Sequence, residues 1–237
     1  MDSETTASTR PIRLVLETVV LVALAFAVAN LVGVMFLVPL FVLGYDLTTT
    51  LVVLAGTAVG QIVFLAVGYG YVRTRGVSVP IRVPSLATLP IVVGGVVAAL
   101  AVAVGVSFVL AAFDLVPGSV VGEVAMADPT FLLGLAALSV FVVAPAEELL
   151  FRGAIQGRLR TRFGPVPAIA GASLLFGSLH LTNYTGSVGP IIAGAGLIAC
   201  IGAVFGALYE YTENLAIPIA VHAIYNVVLL VAGYLTL

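Results

Sequence analysis

Apolar residues in this chain occur in long runs rather than in alternation. Seven runs, at roughly 14–43, 51–72, 86–113, 130–157, 166–182, 190–209 and 215–236, are each long enough or nearly so to cross a membrane. A hydrocarbon core of about 30 Å takes about 20 helical residues. Few charges fall inside the runs, and prolines and polar groups collect between them. That pattern is expected where every backbone N–H and C=O must be satisfied within its own helix. The chain is therefore expected to be all-α, a polytopic transmembrane helical bundle of about seven spans, with an eighth helix or a re-entrant segment as the alternative. The first run continues to about Val42, past the length of a signal-peptide core, and is read as a retained span. Three stretches organise the chain: a polar N-terminal tail (1–13), helices without motifs (14–129) and a motif-bearing transmembrane core (130–237). The segment 76–90, with Pro80, Pro84 and Pro90, is expected to be a linker lying along the interface.

Composition agrees with this pattern: 62% of the 237 residues are hydrophobic, 8% are charged, and the mean hydropathy is +1.25. Too little polar surface remains to dissolve the chain as a soluble domain. Nine basic against eleven acidic residues give a net charge of -2, which excludes the basic patch that nucleic-acid binding requires. The single Cys200 excludes an intramolecular disulfide framework and a thiolate metal cluster. Arginines gather before the first span (Arg10, Arg13), between the second and third (Arg73, Arg75, Arg82) and after the fourth (Arg158, Arg160, Arg162). By the positive-inside rule these loops face the cytoplasm. The expected product is a multi-pass cell-membrane protein with its N-terminus cytoplasmic and, for an odd span count, its C-terminus outside. Tyr45, Tyr184 and Tyr234 at outer ends and Tyr69, Tyr71, Tyr209 and Tyr211 at inner ends are expected to form an interfacial belt.

Ionisable residues inside spans cost about 2.5 to 3.5 kcal/mol each on insertion scales, so each is a candidate functional residue. The set is Glu17, Glu147, Glu148, Arg152, His180 and His222, five of them after residue 145. In APAEELLFRG, Glu148 and Arg152 are four residues apart, the spacing at which an acid and a base on neighbouring helical turns meet. Glu147 is rotated about 100° from that pair, which leaves it a carboxylate without a cation and a candidate general base. FGSLH places Phe176 and His180 on one helix face, and HAIYN places His222 and Asn226 on another. From the helical rise of 1.5 Å per residue, these groups lie about 10 to 20 Å above the arginine-rich end, within one or two turns of each other in depth. One cavity inside the bundle could hold them.

These three motifs, E-E-x-x-x-R, F-x-x-x-H and H-x-x-x-N in that order along the membrane spans, resemble the CAAX prenyl endopeptidase type II family, also called CPBP or Abi, of intramembrane glutamate proteases. The resemblance covers roughly 130–230, including the arginine-rich GRLRTRFG turn. It implies that Glu147 and His180 activate a water, and that His222 and Asn226 stabilise the oxyanion of a tetrahedral intermediate. Glu148, by its own spacing, would pair with Arg152 and orient the site. The implied activity is metal-independent hydrolysis of a peptide bond in a membrane-anchored peptide or protein, a CAAX-like C-terminus being one candidate. No cofactor is expected, and besides the substrate only the lipid bilayer is an expected partner.

Other chemistries fit the residues less well. Glu147, His180 and His222 form a two-His one-carboxylate set of the kind that holds zinc or iron, yet H-E-x-x-H is absent and Arg152 and Asn226 suit a carboxylate and an oxyanion better than a cation. A rhomboid-like Ser178 with His222 lacks the G-x-S-G context. Cys200, in LIACIGAVFG without flanking charge, is expected to be a buried, inert packing residue. Outside catalysis, a scaffold, an immunity partner or a small transporter remain, although no internal repeat of the transporter kind is visible. The G-x-x-x-G of Gly202 and Gly206 suits helix contact within the chain or between copies.

Overall fold

The computed structural model describes residues 11–237, so the N-terminal tail expected at 1–13 and Arg10 lie wholly or largely outside the described residues. Among the described residues the chain is an all-α transmembrane bundle of eight helices. Seven are long and apolar enough to cross a membrane. They are α1 (Pro11–Val42), α2 (Thr50–Arg75), α3 (Leu89–Ala112), α5 (Thr130–Phe163), α6 (Pro165–Leu179), α7 (Val188–Thr212) and α8 (Ala216–Thr236). The eighth helix, α4 (Val120–Ala127), has eight residues, about 12 Å of rise, and is too short to span.

Helix α4 occupies the connection between the third and fourth apolar runs. Ser119 caps it, its hydroxyl accepting from the Gly122 amide at 3.2 Å, as a serine at this position does for the unpaired N–H groups of a first turn. Just before α4, Gly118 and Ser119 pair antiparallel with Tyr184 and Thr185, which follow α6. A two-residue ladder is too small to register as a period in the sequence.

α5 runs through the centre of the bundle, packed against α2, α6 and α8, while α3 packs on α7 and α8, and α1 on α2. It is not a uniform helix. Wide π-helical turns at Ser139–Val143 and Leu149–Gln156 flank an α-helical turn, Ala144–Glu148. Pro145 accounts for the first: it has no N–H to give the carbonyl four residues back, and its ring crowds that carbonyl. Such turns are rare and concentrate at functional sites. The GRLRTRF stretch read as a turn is the last helical segment of α5 (Gly157–Phe163). The chain breaks only at Gly164, whose φ of 77° favours glycine.

Two larger apolar cores, beside a small one around Phe131 and Leu132, organise the bundle. One joins α1, α5 and α6 through Leu14, Leu21, Phe151, Ile155 and Ala172. The other joins α3, α7 and α8 through Val92, Ala99, Ile201, Ile217 and Val221. Outside, large apolar side chains such as Phe41, Phe108 and Phe141 are exposed at 70%, 72% and 79%, a surface that lipid covers and water would not.

The 76–90 linker is pinned to the α7–α8 turn: the Leu215 amide donates to Pro80 O (2.9 Å), and the Asn214 side chain accepts from the Arg82 amide (2.8 Å) and donates to Arg82 O (2.9 Å). Of the inner tyrosines only Tyr69 and Tyr211 are exposed. Tyr209 is buried, and the Tyr71 hydroxyl donates to Glu17 at 2.7 Å, because helices converge at that end and take these rings into their contacts. Glu17 also pairs with Arg75 (2.9 Å) and Arg158 (3.5 Å), tying α1, α2 and α5 together. Cys200 is exposed on the outer face of α7 rather than buried, since the inward face of that helix is taken by Ala199, Ile201 and Gly202.

Candidate active site

The site is built on five helices around the α-helical turn of α5 that lies between its two wide segments. That turn carries Glu147, 7% exposed, and Glu148, fully buried. Glu148 Oε1 lies 2.8 Å from Nδ1 of His222 on α8, and Oε2 lies 3.2 Å from Nε of the fully buried Arg152. The second contact is an ion contact without hydrogen-bond alignment. One buried carboxylate therefore holds both a guanidinium and an imidazole.

Arg152 is held by more than charge. Its Nη2 donates to Gly202 O on α7 at 2.7 Å, and its guanidinium lies over the rings of Phe176 (4.7 Å) and Phe205 (5.5 Å). Desolvated cation–π contacts of this kind contribute about 2 kcal/mol. Gly202 has to be glycine: a Cβ there would meet Phe176 at 2.9 Å and Arg152 Nη2 at 3.1 Å. Gly206, one turn on, faces the Gln156 side chain and Ile169. The G-x-x-x-G of α7 is thus used inside the bundle.

His222 stacks on Phe205 (4.7 Å between centroids, 21° between planes) and meets the edge of Phe176 at 5.9 Å. With Nδ1 against Glu148, its Nε2 points toward Glu147, whose Oε2 is 3.8 Å away. That distance is too long for a hydrogen bond and short enough for a water to bridge. The other Glu147 oxygen accepts from Gln61 Nε2 on α2 at 2.9 Å.

His180 closes α6. Its Nδ1 lies 2.9 Å from Phe176 O, and its ring meets the Phe176 edge at 4.8 Å. An Nδ1–H donated to that carbonyl leaves Nε2 with its lone pair free. Asn226, one turn beyond His222, has its amide 3.4 Å from Ser139 Oγ in the first wide turn of α5. Glu147, His180, His222 and Asn226 all line one cavity of about 270 Å³ between α2, α5, α6, α7 and α8. A larger apolar cavity of about 520 Å³ opens between α1 and α2 and shares Gln61, Glu147 and His180 with the first.

The six motif residues Glu147, Glu148, Arg152, His180, His222 and Asn226 thus fall into one region, whereas Glu17 pairs with Arg75 and Arg158 outside it. Glu147, Glu148, Arg152 and His222 form a connected chain, whereas His180 and Asn226 face the same cavity from their own backbone and Ser139 anchors. The imidazole in ion-contact range of Glu147 is His222. Among the described residues no three His, Cys, Asp or Glu side chains converge as metal ligands. Ser178 is exposed, its hydroxyl donating to Leu175 O at 2.7 Å, away from the cavity. Sequence reasoning missed Gln61, Phe205 and Ser139. Gln61 had a usable signal, an amide in the middle of the apolar α2; Phe205 had none, being one apolar residue among many.

Residues 129–228 match the family model described as Type II CAAX prenyl endopeptidase Rce1-like, a family of proteases. No curated protein and no solved structure matches the chain. The matched stretch covers α5 through most of α8, and with them every motif residue of the site. Seven membrane-length apolar helices and this match make the chain an integral membrane protein, whose residues 129–228 are similar to the Rce1-like type II CAAX prenyl endopeptidases.

Proposed function

We propose that the protein is an intramembrane endopeptidase that hydrolyses a peptide bond of a membrane-anchored substrate without a metal, with Glu147 as the general base. The observation that carries this reading is the division of labour between adjacent carboxylates. Glu148 is engaged by Arg152 and His222, while Glu147 lines the cavity with one oxygen held by Gln61 and the other facing open space beside His222. A carboxylate placed so can take a proton from a water that attacks a scissile carbonyl. The free Nε2 of His180 is a second acceptor for that water.

As the tetrahedral intermediate forms, negative charge develops on the former carbonyl oxygen. A proton on His222 Nε2 and the Asn226 amide are the donors for that oxygen. Glu147 then returns the proton to the leaving amine, and the C–N bond breaks. The apolar cavity between α1 and α2 suits the hydrophobic part of a membrane-anchored substrate, for which a CAAX-like C-terminus is the leading candidate.

The test is to compare C-terminal peptide fragments from membranes of cells producing the protein or its Glu147→Gln variant. The amide has nearly the same shape and cannot accept the proton, so the fragments should fall to a small residual yield while the protein level stays the same. Equal fragment yields would refute the reading and leave a scaffold role.

A further inference from the structure

The first three helices carry no family motif, yet one of their side chains touches the proposed base. We propose that Gln61 on α2 is the positioning residue of Glu147, holding its carboxylate so that the second oxygen faces the reacting water. This inference rests on the function proposed above.

Three observations carry it. Gln61 Nε2 donates to Glu147 Oε1 at 2.9 Å, a contact between side chains 86 residues apart. Both residues line the inner cavity of about 270 Å³ and the outer one of about 520 Å³, so the hydrogen-bonded pair stands at the partition between them. And Gln61 Oε1 is buried with no hydrogen-bond partner among the described residues. An orphaned amide oxygen is a cost in an apolar helix where leucine or methionine would fill the same space, so packing does not explain the residue. A flipped amide would set that oxygen against the Glu147 carboxylate, so the donor is the end that faces it.

The consequence for chemistry follows from the distance on the other side. Glu147 Oε2 stands 3.8 Å from His222 Nε2. With Oε1 tethered to α2, that gap stays open to a water. Without the tether, the carboxylate is free to swing onto the imidazole and close it, and the base is then spent in an ion pair. Gln61 therefore acts through Glu147 rather than on substrate.

The experiment uses the full chain reconstituted in liposomes and a quenched-fluorescence peptide bearing an S-prenylated cysteine followed by three C-terminal residues. Gln61→Met, close in shape but without the donor, should lower kcat about 10- to 100-fold, the range for losing a hydrogen bond to a charged group, with KM changed less than twofold. Gln61→His, which keeps an N–H at comparable reach, should recover at least a third of the lost rate. In a Glu147→Gln background Gln61→Met should have no further effect, whereas a structural defect would lower the residual rate as well. A rise in KM with unchanged kcat, or failure of Gln61→His to outperform Gln61→Met, would overturn the inference. Independently of turnover, the infrared carboxylate band of ¹³C-labelled glutamate that is lost in Glu147→Gln should shift in Gln61→Met and return in Gln61→His. An unmoved band would also overturn it. If Glu147→Gln itself retains full turnover, the functional reading fails instead, while a band shift would leave the hydrogen bond standing.

Discussion

Removing Arg152 should be among the most damaging single changes to the fold, and removing Glu148 with it should repair part of the damage. Both side chains are fully buried, in ion contact at 3.2 Å. Arg152→Met leaves the Glu148 carboxylate in the bundle with His222 as its only close donor among the described residues, and gives up the bond to Gly202 O and the contacts to Phe176 and Phe205. Breaking a buried pair from one side costs about 3 to 5 kcal/mol. For a chain of this length about 1 kcal/mol moves the melting temperature by about 2 to 4 °C, so a fall of roughly 10 °C is expected. Glu148→Leu should cost a similar amount by stranding the guanidinium. The double variant Glu148→Leu/Arg152→Met has no uncompensated charge in the pair, and should melt above the sum of the single losses by a coupling of about 2 kcal/mol or more. Apparent melting temperatures of the three variants in the same detergent, by intrinsic tyrosine fluorescence, measure it. Strictly additive losses would refute the account of Arg152 as the neutralising partner of Glu148.

Three other outcomes are expected. Asn226→Ala should lower kcat about 100- to 1000-fold at nearly unchanged KM, as loss of one oxyanion donor does; a change confined to KM would move Asn226 to substrate binding. EDTA or phenanthroline should leave turnover unchanged, and a loss restored by one added metal would favour the two-His one-carboxylate alternative. At the α4–α5 corner, hydrogen bonds from the Thr50 hydroxyl, then from the Thr130 hydroxyl and amide, hold the Asp128 carboxyl below the usual carboxylate range. Its folded-state value lies below the unfolded one, so its contribution is complete above the unfolded value and is lost as pH falls through the folded one. Asp128→Asn should therefore lower the melting temperature at pH 7 and flatten its acid-side decline, and an unchanged slope would contradict this.

What the sequence disclosed follows from the range of each interaction. Membrane spans are written in composition over about twenty residues, so all seven were legible, and the contact between Glu148 and Arg152 follows from spacing on one helix. Contacts between helices left less trace. Nothing in HAIYN says that His222 Nδ1 meets Glu148, because that depends on how α8 crosses α5. The wide turns around Glu147 were equally hidden, although Pro145 marked the place. Cys200 was misjudged because an apolar span does not reveal which face of its helix meets lipid. Gln61 is neither ionisable nor part of a spaced motif, and an amide in a span carries the same message more quietly.

The central claim is that Glu147 and His180 act on one water in the cavity they share. On one reconstituted prenylated peptide, kcat is measured for Glu147→Gln, for His180→Ala and for the double variant. Residues that act as a unit give grossly non-additive losses, so the double variant should be scarcely slower than either single one. A multiplicative loss would mean that the two groups serve different steps, and would contradict the account.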